Sequence, residues 1–362
     1  MGKKIKHPKR SGLIIGLISG PIVIALVLGV VILFHYLNKV NYVPLKENYT
    51  ILDETESFIE DVTNPLCETR SDTSKEEIDE FQREAKEQLA KLGSMDYKKV
   101  GNVYNVLLIG SDTRVSGEDG RSDTMLLISI NRSKNKIIAT SFLRDIYANI
   151  PGKGFEKLNA AYAYGGVELL LDTLKDNFSI EIDRYISVDF YSFVGVIDII
   201  GGIDVPVEED ELYWCNQYIH ASNLLLGEPE HDGYLTYADG SVQHLSGKQA
   251  LAYARFRYVG NGDFTRTERQ RKIVNIIFDK IASAKVGTVF KFLDSLLENV
   301  TTNIPKGEFI QLIGDLLKIK KYDIISWNIP DEDFKYMTIN GMDSIVIDFN
   351  LYVDKLYSNI YE

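Results

Sequence analysis

From Ser11 to Asn38 the chain carries no charged side chain, and Leu13 to Phe34 is almost wholly apolar. These 22 residues, as a helix rising about 1.5 Å per residue, span the ~30 Å hydrocarbon core of a bilayer. Lys3, Lys4, Lys6, Lys9 and Arg10 precede the run, so the positive-inside bias predicts a cytoplasmic N-terminus. The run is too long for the apolar part of a secretory leader, and no A-x-A-like site follows it, which favours an anchor over a cleaved peptide. The predicted organisation is a basic cytoplasmic tail (1–11), a transmembrane helix (12–37), an extracytoplasmic acidic stalk with an amphipathic helix (38–99) and a catalytic domain (100–362).

The formal charge is −12, and without the five basic residues of the tail the remainder carries −12 − 5 = −17. An exterior this acidic excludes the broad basic face of a nucleic-acid binder. Cys67 and Cys215 are the only cysteines, too few for a disulfide framework or a metal signature. The motifs of zinc proteases, α/β-hydrolases and P-loop nucleotidases are absent.

Between Asp53 and Glu87 stand 13 acids and 4 bases, a composition that predicts a partly solvated spacer. Within it Ser74-Lys-Glu-Glu77 reads as a capping box, and Ile78, Phe81, Ala85, Leu89 and Leu92 then share one face of a helix that docks on the main domain. From Val103 onward, apolar strand-like runs (103–109, 125–131, 137–141, 184–188, 203–207, 324–329, 344–349) alternate with helix-like ones (159–175, 190–200, 247–254, 265–284, 290–299, 309–319). This predicts an α/β layered sandwich around a mixed sheet.

Arg255 to Lys272 holds six basic residues against two acids, a net of about +4 in an acidic chain. Guanidinium forks grip phosphate oxygens bidentately. Arg255 and Arg257 are two apart and project to one side if the segment is extended. Thr265-Arg-Thr-Glu268 reads as a capping box that puts Arg266 in the first turn of a helix with Gln270 above it. Arg269 and Arg271 point to other faces, as surface charges. Asp112 follows a predicted strand and Asp123 precedes one, so both carboxylates fall on one sheet rim if those strands are neighbours. Magnesium needs few protein oxygens, and two aspartates suffice; the bland alternative is a pair of turn residues. Arg121 stands beside Asp123 before the second predicted strand, and Arg144 follows the third.

The motifs NVLLIGSDTR (105–114), RSDTMLLISIN (121–131), SFLRDIY (141–147), KLNAAYAYGG (157–166), YISVDFYSFVGVIDIIGGIDVPV (185–207), LSGKQALAYARFR (245–257) and GDFTRTERQRKIV (262–274) occur in this order. In them the chain resembles the LytR-CpsA-Psr proteins of mainly Gram-positive bacteria. Phe142-Leu143, where that family commonly carries a proline, is a small departure. The resemblance implies a three-layer αβα sandwich with a single-pass anchor in the cell membrane. It also implies a phosphotransferase that moves an anionic glycopolymer from an undecaprenyl-pyrophosphate carrier to peptidoglycan through a phosphodiester. Teichoic acid, capsular polysaccharide and secondary wall polysaccharide are all open as the polymer. By the same resemblance Asp112 and Asp123 hold magnesium, with manganese as a substitute. Arg121, Arg144, Arg255, Arg257, Arg266 and Gln270 hold the pyrophosphate, Arg144, Arg255 and Arg257 sharing the catalytic work with the aspartates. Either aspartate could act as general base. A greasy tunnel beside Arg255 and Arg257, walled partly by residues 185–207, would take the prenyl tail. The alternatives are a regulatory protein that binds polyprenyl pyrophosphates and a lipid pyrophosphatase with water as acceptor.

Overall fold

The computed structural model describes residues 41–51, 71–93, 102–111, 120–283, 300–305, 307–308, 311–312 and 321–362. The expected membrane anchor, Asp112, Cys67 and the expected helices at 290–299 and 309–319, apart from Gln311 and Leu312, lie outside them. Among the described residues no helix is long and apolar enough to cross a membrane.

Seven strands form one mixed sheet: β1 (Asn41–Tyr42), β2 (Val103–Ser111), β3 (Ser122–Asn131), β4 (Lys136–Phe142), β7 (Arg184–Val188), β10 (Val300–Thr302) and β11 (Asp323–Ile329). Their order across the sheet is β1-β10-β7-β2-β3-β4-β11. β2, β3 and β4 form an antiparallel meander, while β7 joins β2 and β11 joins β4 in parallel. The short turn at Arg132–Asn135 closes the β3–β4 hairpin, with Asn135 at φ 50° supplying the left-handed residue. The expected strand at 203–207 forms at Ile203–Pro206 (β8) but stands outside this sheet. Among the described residues it pairs with β9 (Val242–Leu245) alone, because its burial comes from a helical subassembly and not from the sheet. Two small hairpins, β5–β6 (Tyr147–Ile150, Gly154–Lys157) and β12–β13 (Phe334–Ile339, Met342–Ile347), complete the strands among the described residues.

Helices cover both faces of the sheet. On one face α1 (Lys75–Gly93), α2 (Ala160–Phe178) and α7 (Phe349–Tyr361) bury Leu107, Ile109, Met125, Leu127 and Phe142 in a large core with Leu170, Leu174, Phe178 and Tyr352. The other face, with Leu126, Ile128, Ile130 and Ile137, packs against Val274 and Phe278 of α6 (Asp263–Ser283). The Ser74 capping box forms as expected, with the Glu77 carboxylate accepting from the Ser74 N–H at 3.3 Å. Leu92 and Ala85 are both about 1% exposed, so α1 is docked on the domain and belongs to the folded unit that the sequence reading began at residue 100. Residues 41–51, assigned to the stalk, also lean on the domain. β1 lies along β10, and Tyr49 donates to Asp172 at 2.6 Å.

The third subassembly is helical: α3 (Phe190–Ile199), α4 (Glu209–Leu226) and α5 (Gly247–Arg255). Ser246 and Gln249 form a reciprocal capping box that starts α5. A Cβ at Gly247 would meet the Val194 carbonyl oxygen at 2.3 Å, so only glycine lets α5 lie against α3. The Gly247 N–H donates to Asp198 at 2.6 Å. LSGKQAL is thus a helix-start and helix-contact motif, and it aims the C-terminal end of α5, Arg255, at the sheet rim.

Candidate active site

The carboxyl end of β2 and the amino end of β3 share one rim, since Ser111 pairs with Ser122, the residue before Asp123. At that rim Arg144, just past β4, donates to Asp123 Oδ1 at 2.5 Å. Arg266, in α6, reaches the same oxygen at 3.9 Å and donates to the Asp123 carbonyl at 3.1 Å. Arg266 also pairs with Asp263 at 2.7 Å, and the Arg144 Nε stands 3.6 Å from Asp263 and 3.7 Å from Asp145. Lys157 holds the other oxygen of Asp145 at 2.9 Å. The arginines of the rim are therefore interleaved with three carboxylates, and all of these side chains are at least three-quarters buried.

Burial pushes the Asp123 carboxyl up, but Arg144 and Arg266 outweigh it and hold the group below the usual carboxylate range. Asp145 is held low in the same way by Arg144 and Lys157. Asp263 goes the other way: burial and the two neighbouring carboxylates raise it in spite of both arginines. Two features leave binding capacity open. The buried Nε atoms of Arg144 and Arg266 have no hydrogen-bond partner among the described residues. The second oxygen of Asp123 likewise accepts nothing there, its recorded contacts being through Oδ1 and the backbone carbonyl. Orphaned guanidinium N–H donors suit an anion, and a spare carboxylate oxygen suits a hard cation.

Arg255 ends α5, so it is helical and not extended; its guanidinium lies 4.1 Å from the Phe190 ring centroid and 5.3 Å from that of Tyr218. It is close enough to Asp123 to help depress that carboxyl. Arg257 lies beyond the extended Phe256, beside the Tyr258 ring. Arg121 precedes β3 and is half-buried. Gln270 donates to the Ala254 carbonyl at 3.2 Å, steadying the end of α5 from which Arg255 projects. α6 begins at Asp263, two residues before the expected capping box. Arg266 N–H bonds to Gly262 O at 3.1 Å, and the Thr265 hydroxyl accepts from Asn261 N–H at 2.8 Å.

Arg269 and Arg271 are not surface charges: they are 3% and 8% exposed. Arg269 pairs with Glu211 at 3.1 Å, donates to the Phe256 carbonyl and lies 3.7 Å from the Phe256 ring centroid. Arg271 donates to Ser141 at 3.0 Å and to Asn328. Both clamp α6 to its surroundings. Sequence reading also missed Asp145, Lys157 and Asp263 as members of the rim. Each flanks a recognised motif, but only the fold brings them together.

The model of the LytR-CpsA-Psr family matches residues 67–354. The chain belongs to this family. Among relatives, a TagU of Enterococcus faecalis, named a polyisoprenyl-teichoic acid–peptidoglycan teichoic acid transferase, is 35% identical over 206 residues, 56% of this chain and 61% of the relative. TagV of Bacillus subtilis, named likewise, is 32% identical over 240 residues, 64% of this chain and 58% of its own. The chain spans about three fifths of the length of these curated relatives. Among solved structures, TagT bound to LI-WTA aligns with a TM-score of 0.57 at 25% identity, covering 73% of this chain and 92% of TagT. The mixed α/β fold with its central mixed sheet is that of these LytR-CpsA-Psr structures.

Proposed function

We propose that the chain is a membrane-anchored phosphotransferase that takes a glycopolymer from a polyprenyl-pyrophosphate carrier, undecaprenyl in kind, and joins it to peptidoglycan. The observation that carries this reading is the buried rim of Arg144 and Arg266, whose Nε donors have no hydrogen-bond partner among the described residues, at the end of the sheet where β1 begins. The strand register supports this orientation. Val188, at the end of β7, is opposite Val300, and Thr301 is opposite Asn41, so β1 starts at the same rim as the arginines. Asn41 follows the uncharged run by three residues, a reach of about 11 Å at most. With residues 12–37 in the bilayer and the N-terminus in the cytoplasm, this rim faces the extracytoplasmic membrane surface, where a lipid pyrophosphate presents itself. The relatives' names, transferases that act between polyisoprenyl-teichoic acid and peptidoglycan, support the same chemistry.

In this reading the acceptor hydroxyl oxygen forms a bond to the phosphorus that carries the glycopolymer. The bridging P–O bond of the pyrophosphate breaks, polyprenyl phosphate leaves, and the hydroxyl proton passes to a carboxylate or solvent. Such transfer needs positioning and charge neutralisation more than covalent help. Arg144 and Arg266 accept charge at the fixed end of the site. Arg255, packed beside Phe190 and Tyr218, adds a fork that those rings keep from swinging, and Arg257 and Arg121 extend the positive rim. Asp123, whose second oxygen accepts nothing among the described residues, and Asp112 would hold magnesium, which would supply further charge neutralisation. Guanidinium contacts make Asp123 a weak base, so its fitting role is ligand and anchor.

Apolar residues beside the rim offer the prenyl tail a wall. Leu108 and Ile186 are opposite one another on the sheet face towards α6, and both are only half-buried, as are Val188, Phe190, Phe193 and Val194. Their partial burial leaves apolar surface that a prenyl chain would cover. The test is calorimetric titration of the detergent-solubilised protein with farnesyl pyrophosphate and farnesyl monophosphate. Pyrophosphate should bind at least tenfold tighter, and Arg144→Ala should remove the difference. Equal binding of both lipids would end this reading.

A further inference from the structure

Beyond the arginines, an aromatic strip continues along the molecular surface. Arg257 lies beside Tyr258; the Tyr258 ring centroid is 4.2 Å from that of Trp214, and Trp214 is 5.1 Å from Tyr213 in an edge-on contact. Exposure rises along the strip. Tyr258 and Trp214 are half-buried, and Tyr213 is 60% exposed. Trp214 and Tyr213 sit in α4, and the reaction described above uses neither side chain.

Tyr218, one helical turn after Trp214, joins this strip to the arginines. It is 5% exposed, its ring lies 5.3 Å from the Arg255 guanidinium, and its hydroxyl stands within the electrostatic reach of Tyr258, Arg255, Arg266 and Arg144. No hydrogen bond engages that hydroxyl among the described residues, so it is open to a ligand oxygen.

The charge around the strip selects among ligands. Glu209 and Asp210 lie exposed in the first turn of α4, one turn before Tyr213, so a phosphate is repelled there while a neutral ring is not. A pyranose has one face of axial C–H groups that packs on an aromatic ring, and equatorial hydroxyls that remain in water. We propose that Tyr258, Trp214 and Tyr213 form a saccharide subsite contiguous with the phosphate site, and that the Tyr218 hydroxyl donates to the oxygen joining sugar and phosphate. The inference deepens the function proposed above and rests on it for the position of the phosphate. The sugar could be the first residue of the lipid-linked donor or a residue of the acceptor glycan; the chemistry of recognition is the same.

The experiment uses the full chain in detergent, with Trp327→Phe as background so that Trp214, the other of the two tryptophans, is the sole indole reporter. Three probes are titrated: farnesyl pyrophosphate, the same lipid bearing one N-acetylglucosamine, and free N-acetylglucosamine disaccharide. A donor subsite makes the glycosylated lipid bind about tenfold tighter than the bare one, with a shift in Trp214 emission. Trp214→Ala and Tyr213→Ala abolish that ratio while affinity for the bare lipid stays within about twofold. An acceptor subsite gives instead a saturable emission shift with the free disaccharide, lost in Tyr258→Ala. Tyr213 is too exposed for its removal to threaten folding, so its variant remains informative if Trp214→Ala is unstable. The proposal is overturned if sugar adds nothing in either arm, or if Tyr213→Ala and Trp214→Ala weaken bare and glycosylated lipid alike. Failure of the bare lipid to bind, with the disaccharide response intact, would overturn the phosphate reading and leave the saccharide subsite standing.

Discussion

Replacing Arg269 by alanine should destabilise the domain severely, although on the sequence alone this residue reads as an exposed charge whose loss is silent. Its guanidinium is enclosed by Glu211 of α4, the Phe256 carbonyl and the Phe256 ring, and Arg269 and Glu211 are only 3% and 6% exposed. Removing one partner of a buried ion pair leaves the other charge uncompensated, at a cost of about 3–5 kcal/mol. Glu211 cannot turn away cheaply, since its second oxygen accepts from the Glu208 N–H at 3.0 Å and caps α4. For a domain of this size the melting temperature should fall by roughly 10 °C. Urea unfolding followed by circular dichroism measures the loss, and the double variant Arg269→Met with Glu211→Gln should recover more than half of it. Because Phe256 stands between Arg255 and Arg257, the single variant should also lower transfer activity in the fraction that remains folded. A stability change below about 1 kcal/mol would refute the clamp; this threshold is well under the cost of a broken buried pair.

Asp123→Asn should lower the transfer rate by about 10²–10³ while the melting temperature stays near that of the parent, since Arg144 keeps Asp145 and Asp263 as neighbours; single-turnover kinetics beside a thermal melt checks both. Arg255→Lys should lose at least about tenfold in lipid pyrophosphate affinity, because a lysine reproduces neither the fork nor the flat stacking on Phe190; calorimetry reads it. Burial raises the Asp331 carboxyl, but Lys355, Tyr352 and the Glu332 N–H outweigh it and bring it down to about 2 from 3.8. Its folded value is depressed, so its contribution is present above about pH 4 and lost as pH falls towards 2. After allowance for solvent screening this should amount to under about 1 kcal/mol, and Asp331→Asn should flatten that part of the stability profile. Burial pushes the Cys215 thiol up to about 12, so Ellman's reagent should react slowly with it in the native protein and quickly in urea.

The sheet strands were legible because β2, β3, β4, β7 and β11 are short apolar runs bounded by turn residues, and Ser111 opposite Ser122 bears out the expected shared rim. Arg144 and Arg266 were legible as site candidates from their motifs, and the structure brings them together on Asp123. The burial of Arg269 was not, since TERQRKIV has the composition of a solvated helix. Its partner Glu211 belongs to α4, a helix without a clear apolar stripe, marked only by the first-turn acids and by Gly227 at its end. Arg271 was hidden for a similar reason, its acceptor Asn328 lying on β11, 57 residues away. β8 failed as a sheet strand because alternating apolar residues say that a segment is half-buried, not against what. The missed Asp145, Lys157 and Asp263 show the same limit: a charge cluster assembled from three chain segments has no local spacing to read.

The central claim is transfer from a lipid pyrophosphate to a glycan hydroxyl, and product analysis tests it most directly. The full chain, with magnesium, is incubated with a polyprenyl-pyrophosphate-linked glycopolymer and peptidoglycan, and the products are resolved by phosphorus NMR and mass spectrometry. The account predicts a new phosphodiester between glycopolymer and peptidoglycan, with one polyprenyl phosphate released per bond formed, and neither product with Arg144→Ala. Glycopolymer phosphate released into water with unmodified peptidoglycan, or a donor left intact though bound, would contradict it.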